Sequence, residues 1–233
     1  MPFYYDTIYW IALIPILILS VYAQIKVSSS FNRYSKVRNH RNITGAMAAD
    51  AVLRAHGIRD VVIRPCHGYL TDHYDPRSNT IFLSESVFNQ PTVAAVGVAA
   101  HEAGHAVQYA VGYGPIKLRM AILPVTRFGS QFSFLAIALG LILEAQALFT
   151  VGIVLFATTT FFQLVTLPVE FNASSRAIGT IEGAHLLNED EQKGAKKVLS
   201  AAALTYVAAL LTSMLQLLRY LMLFAGRDDR RRR

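Results

Sequence analysis

Long apolar runs alternate with polar segments along this chain, and the longest runs predict membrane spans. A helix needs about 20 mostly apolar residues to cross the hydrocarbon core of a bilayer. Four blocks approach that length: residues 8–23, 128–148, 149–169 and 198–224. The pattern therefore predicts a multi-pass membrane protein with about four transmembrane helices, of which two meet in a tight turn near Thr150.

Between the first and second apolar blocks the pattern changes to that of a folded polar domain. Residues 45–56 have the spacing of a short amphipathic helix. β-prone residues follow at 61–63 and 80–83, and Asp-Pro-Arg-Ser-Asn at 75–79 has the composition of a turn. A small sheet with a hairpin over residues 68–83 is therefore predicted. An exposed strand of this hairpin could bind an extended peptide by strand addition.

A helix predicted over residues 91–109 carries the sequence His-Glu-Ala-Gly-His. Residues four apart lie on one helix face, so His101 and His105 can present two imidazoles to one metal ion. Imidazole nitrogens suit Zn²⁺, which in catalytic sites takes three protein ligands and keeps one position open. Glu102, beside the histidines, can act as general base toward a zinc-activated water. The motif predicts a zinc hydrolase, since these ionisable groups are costly on an apolar helix without a partner.

Composition and charge narrow the possible partners. Hydrophobic residues make up 53% of the 233 residues, which is more than an ordinary soluble protein contains. The formal net charge is +7, but the basic residues cluster beside the apolar blocks. This placement favours contact with membrane lipids and argues against nucleic acid as a partner. The single cysteine, Cys66, excludes an intramolecular disulfide and a cysteine-based zinc finger.

A second group of metal-ligating residue types lies in the predicted hairpin. It comprises His67, Asp72, His73 and Asp75. Their irregular spacing around a turn favours solvated hairpin residues over a second metal site.

The His-Glu-x-x-His motif needs a third ligand. The residues after His105 lack the metzincin extension, and no apolar segment after the motif contains the Asp that intramembrane site-2-type proteases use. The remaining donors are Glu144, Glu170, Glu182, His185 and the acids at 189–191. Glu170 stands out because it is predicted to begin a helix where the third apolar block ends.

Several longer motifs accompany the histidine motif. They are Leu-Thr-Asp-His-Tyr-Asp-Pro-Arg at 70–77, Leu-Ser at 83–84 and Pro-Val-Glu-Phe-Asn-Ala-Ser-Ser-Arg-Ala at 168–177. With these motifs and one N-terminal anchor, essentially the whole chain resembles the YugP-like neutral zinc metallopeptidases of prokaryotic membranes. This family is distantly related to HtpX and the CAAX prenyl proteases.

The resemblance implies a role for Glu170. Glu170 and Ala173 match the Glu and Ala of the Glu-x-x-Ala-Asp sequence in HtpX-like enzymes, whose Glu is the third zinc ligand. Ser174 occupies the position of the Asp, which is expected to orient a zinc-binding histidine. Ser174, Asn172 or a backbone carbonyl are the candidates to replace it.

Residues and resemblance together predict a mostly helical α+β membrane protein with a gluzincin-type metal helix and a small sheet. We expect one catalytic Zn²⁺ bound by His101, His105 and Glu170, with Glu102 as general base of an endopeptidase acting on peptides or proteins. Arg176 and His185 are candidates to stabilise the oxyanion. The alternative is a non-catalytic zinc-containing scaffold or chaperone-like partner, which would not need Glu102. The oligomeric state stays open.

The predicted organisation places the catalytic residues beside the membrane. Its segments are an anchor at 1–24, a metallopeptidase domain at 25–127, a transmembrane hairpin at 128–169, a third-ligand segment at 170–197, a transmembrane helix at 198–226 and a basic tail at 227–233. Basic residues flank the spans mainly on the side of the metallopeptidase domain, which the positive-inside bias places in the cytoplasm. The basic tail disagrees, unless the last helix does not fully cross the membrane.

Overall fold

A computed structural model describes the backbone of residues 2–231 and the side chains of residues 9–226. The helices in this range are α1 Pro2–Tyr34, α2 Gly45–Ala55, α3 Val93–Ala110, α4 Gly114–Ile142, α5 Gln146–Gly183 and α6 Glu189–Arg231. The strands are β1 Val62–Cys66, β2 His73–Asp75 and β3 Thr80–Ser84. This architecture confirms the predicted fold class, a mostly helical α+β protein with a small sheet. The side chains of the predicted basic tail lie outside the described residues.

Four of the helices are long and apolar enough to cross a membrane, as predicted. Their candidate spans are Tyr9–Tyr34, Gly114–Ile142, Gln146–Gly183 and Glu189–Gly226. Large apolar side chains on these helices are exposed, including Ile11, Phe134 and Ile142. Such surfaces suit contact with lipid tails.

The turn between α4 and α5 lies at residues 143–145 and not near Thr150, where it was predicted. Glu144 adopts a left-handed backbone conformation there, with a φ of 53°. Thr150 is helical, and its hydroxyl donates to the Gln146 carbonyl oxygen at 2.9 Å. The prediction was wrong because neither glycine nor proline marks this turn in the sequence.

The chain divides into two compact units. One comprises Met1–Tyr22, Leu118–Leu167 and Thr205–Arg233, and the other comprises Ala23–Lys117 and Pro168–Leu204. The second unit contains the sheet, α2 and α3, and its core includes Val52, Ile81, Leu83, Val96 and Val107. All of the predicted metal ligands belong to this second unit.

In the sheet, β3 lies between β1 and β2. It pairs with β1 in parallel and with β2 in the antiparallel direction, where His73 is opposite Phe82. Asp75 closes the turn of the β2–β3 hairpin, accepting the Arg77 N–H at 3.0 Å and the Ser78 hydroxyl at 2.8 Å. The structure thus forms the predicted hairpin, starting at His73. Helix α3 packs against β2 and β3.

Candidate metal centre

Helix α3 presents the His-Glu-x-x-His motif from within the core of its unit. Its N-terminus is capped by Thr92, whose hydroxyl accepts the Ala95 N–H at 3.3 Å. Alanine and glycine fill most of its buried positions, so neighbouring elements can pack closely around it. The side chains of His101 and His105 are 15% and 12% exposed, so both imidazoles are largely withdrawn from water.

Helix α5 supplies Glu170 to the same place. The sequence predicted that a helix begins at this residue, but Glu170 lies inside α5, which continues through Pro168. Proline disfavours a helix interior because it lacks an N–H and its ring crowds the preceding turn. Tertiary packing outweighs this local preference here, since the flanking Val169 is fully buried and its carbonyl accepts a hydrogen bond from Gln108 of α3.

A glycine permits the close approach of the two helices. A Cβ atom added to Gly104 would lie 2.6 Å from the carbonyl oxygen of Ala173, so only glycine fits between the α3 and α5 backbones. Ala173 lies one turn after Glu170. This contact therefore helps to place the Glu170 carboxylate against the two histidines.

The three side chains converge on one point. Glu170 Oε2 lies 3.3 Å from His101 Nε2 and 3.6 Å from His105 Nε2. One ligand atom from each of the three residues lies within 4.8 Å of the other two, which is the only such group among the described residues. Two imidazole nitrogens and one carboxylate oxygen are a donor set typical of catalytic zinc. The residues present therefore fit a zinc ion.

The other ring nitrogen of each histidine contacts a different uncharged side chain. His101 Nδ1 lies 3.0 Å from Ser174 Oγ, and His105 Nδ1 lies 3.0 Å from Gln108 Oε1. Of the two side chains that were candidates to replace the Asp of the related enzymes, Ser174 contacts a histidine. Asn172 contacts Gln108 instead. Sequence reasoning missed Gln108, although a polar residue three positions after His105 on an apolar helix was a signal.

The electrostatics of the centre favour a positive charge. Burial lowers the pKa of His105, but the nearby carboxylates of Glu170 and Glu102 raise it, and the net pKa lies above its usual value. A cation between these groups offsets the cost of burying the Glu170 carboxylate.

Glu102 is half-buried next to the first histidine. Its carboxylate forms no hydrogen bond or ion pair with any other residue that the structure describes. Asp72 is near enough to interact with it electrostatically: burial raises the pKa of Asp72, and the charge of Glu102 adds to that effect. The Asp72 carboxylate accepts the Ser84 N–H at 2.7 Å, which ties it to the end of β3.

The remaining candidate ligands have separate partners. Nδ1 of His67 lies 2.9 Å from a Glu85 oxygen, and His73 stacks on Phe82 with ring centroids 5.0 Å apart. Glu182 pairs with Lys196. Glu191 accepts the Asn188 N–H at the start of α6.

The two candidates to stabilise the oxyanion lie on or after α5. His185 lies in the turn after α5, and Arg176 donates to Asn172 at 2.8 Å.

Comparison with known proteins identifies the family of this chain. The family described as "Putative neutral zinc metallopeptidase" matches residues 9–225. The chain belongs to this metallopeptidase family. A curated relative, "Putative membrane protease YugP" of Bacillus subtilis (strain 168), is 48% identical over 212 residues, which are 91% of this chain and 94% of the relative. No solved structure matches the chain significantly.

The family membership identifies zinc as the metal to be expected in this metallopeptidase and peptides or proteins as its class of substrate. The relative is described as a membrane protease, and the four long apolar helices are consistent with a membrane protein. The predicted family resemblance is thereby confirmed.

Proposed function

We propose that this protein is a membrane-embedded, zinc-dependent endopeptidase in which His101, His105 and Glu170 bind one catalytic Zn²⁺. The observation that carries the proposal is the convergence of the three donor atoms within 4.8 Å of one another. Family membership supports the same chemistry. A zinc ion supplies Lewis acidity, which lowers the pKa of water toward neutrality and polarises a peptide carbonyl.

Glu102 is the proposed general base. Its carboxylate is free of hydrogen bonds to described residues, so it can take a proton from the attacking water. The water oxygen forms a bond to the carbonyl carbon, and Glu102 passes the proton to the amide nitrogen of the leaving segment. The C–N bond then breaks, which releases an amine and a carboxylic acid.

The edge strand β2 is the proposed substrate platform. It pairs with β3 on one side, and α3 packs against both strands. An extended peptide can add to the open side of β2 through backbone hydrogen bonds. This arrangement would hold the substrate backbone beside the metal helix.

The alternative function is that of a zinc-containing scaffold without turnover. Such a scaffold would not need Glu102, whereas the proposed endopeptidase does. We expect Glu102→Gln to retain zinc, because Glu102 is not among the proposed ligands, and to lose peptide cleavage by at least about a hundred-fold. The control is Glu85→Gln, whose side chain is 70% exposed and pairs with His67. Zinc content and cleavage of a casein-type substrate are measured in detergent. Cleavage by Glu102→Gln near the wild-type rate would exclude Glu102 as the base.

We further propose that the catalytic unit, meaning the compact unit that contains the proposed metal ligands, faces the cytoplasm. The basic residues that flank the spans lie mainly on the side of this unit. A cysteine introduced at the exposed position Arg77 in a Cys66→Ala background reports the orientation, since the neighbouring Asn79 is occupied by hydrogen bonds to Tyr74 and Asp60. We expect a membrane-impermeant thiol reagent to label it only after lysis. Labelling in intact cells would place the catalytic unit outside.

A further inference from the structure

Gln108 is a fully buried glutamine on α3, three positions after His105. A buried amide has to satisfy both its donors and its acceptor, because an unpaired polar group in the core is costly. Gln108 does so with groups from both helices of the metal centre. Its nitrogen donates to the Val169 carbonyl oxygen at 2.7 Å and to Asn172 Oδ1 at 3.0 Å, and its oxygen lies 3.0 Å from His105 Nδ1.

The direction of these hydrogen bonds is fixed at both ends. The Val169 carbonyl can only accept, so the nitrogen of Gln108 has to face it. At the other end, Arg176 can only donate, and its Nε lies 2.8 Å from Asn172 Oδ1. The orientations of the Gln108 and Asn172 amides therefore follow from the Val169 carbonyl and the Arg176 side chain, without reference to His105.

This orientation determines which nitrogen of His105 carries hydrogen. The oxygen of Gln108 faces Nδ1 and can only accept, so it favours the neutral tautomer that carries its hydrogen on Nδ1 and has its lone pair on Nε2. Nε2 is the atom that faces Glu170. In contrast, the Ser174 hydroxyl beside His101 can either donate or accept, so it does not impose a tautomer.

Gln108 also links the ring to the backbone that carries the third ligand. Val169 directly precedes Glu170, so one side chain contacts both a proposed histidine ligand and the helical turn of the proposed carboxylate ligand. Neither contact is available to a shorter or apolar side chain.

We infer that Gln108 is a positioning residue of the metal centre, which holds His105 in its metal-binding tautomer and fixes the Glu170 turn, while Asn172 and Arg176 hold the Gln108 amide. The inference rests on the proposed zinc site. Groups that orient a metal-binding histidine typically change metal affinity by about 10- to 100-fold when they are removed.

The test compares Gln108→Met with wild type in the full-length protein in detergent. Methionine has nearly the same shape but neither accepts from His105 nor donates to Val169. We expect zinc affinity, measured by competition with a chromophoric chelator, to fall by about 10- to 100-fold. The matched control is Gln192→Met, since Gln192 of α6 donates to the Leu187 carbonyl at 2.9 Å, away from the proposed ligands.

A second readout records the tautomer directly, without metal. In ¹⁵N-histidine-labelled, metal-free protein at alkaline pH, nitrogen shifts distinguish Nδ1–H from Nε2–H, and His105→Ala identifies the signal. We expect Nδ1–H in wild type. In Gln108→Met we expect a shift toward Nε2–H, because the acceptor at Nδ1 is lost while the Glu170 carboxylate still faces Nε2.

The outcomes separate this inference from the proposed function. If Gln108→Met keeps both the wild-type zinc affinity within about two-fold and the Nδ1–H tautomer, the role of Gln108 is refuted while the zinc site stands. If His105→Ala binds zinc as tightly as wild type, the proposed zinc site fails, and the metal-free tautomer still tests Gln108. If Gln108→Met does not fold, Asn172→Ala replaces it, and wild-type zinc affinity and tautomer in that variant would refute the inference.

Discussion

On α3 the two histidines and Glu102 fall within five consecutive positions, whereas on α5 the residues that contact the two histidines are Glu170 and Ser174. The α3 group is defined by helical spacing alone. The α5 group is defined by its contacts with α3: Glu170 faces both histidines and Ser174 faces His101. One helix thus carries a local motif, and the other carries residues whose function depends on the first.

The separation between the two helices therefore matters as much as the side chains that they carry. The donor atoms can converge only while the α3 and α5 backbones stay in contact at Gly104 and Ala173. Gly104 therefore helps to position the centre because it has no side chain.

The largest effect is expected from Gly104→Ala, which separates the helices. The new methyl group would lie 2.6 Å from the Ala173 carbonyl oxygen, and backbone cannot move aside as a flexible side chain can. We expect a loss of about 1–3 kcal/mol in the free energy of unfolding from overpacking. Zinc affinity should also fall by at least about ten-fold, because Glu170 moves away from the histidines. Chemical unfolding and chelator competition in detergent measure the two effects.

The same helix offers a matched control, Gly97→Ala. There the added methyl group would lie 3.4 Å from the Ala195 Cβ, an ordinary van der Waals contact. Alanine is favoured over glycine in a helix by about 0.5–1 kcal/mol, so this variant should be as stable as wild type or more stable. Equal losses in the two variants would show that α3 tolerates no added methyl group and that the Gly104 contact has no special role.

The same contrast explains how far the sequence could predict the fold and the site. The His-Glu-x-x-His group, the four apolar helices and the hairpin turn depend on local spacing or composition, and the structure contains all of them. The partners of Gln108 on α5 lie 61 and 64 residues away, so no local pattern could reveal them. The helix start predicted at Glu170 was wrong because packing around Val169 overrides the effect of Pro168.

The smallest effect is expected from Ser174→Ala, which removes the α5 partner of His101. The hydroxyl lies 3.0 Å from Nδ1, but it does not fix the tautomer, and alanine leaves the helix backbone in place. Zinc affinity should therefore fall by less than about ten-fold, which is the smallest loss that is typical when an orienting partner is removed. Ser175→Ala is the control, because Ser175 is the next residue of α5 and is exposed. A loss in Ser174→Ala as large as that in Gln108→Met would mean that the two histidines depend equally on their partners. The distinction between an amide that imposes a tautomer and a hydroxyl that permits either one would then be wrong.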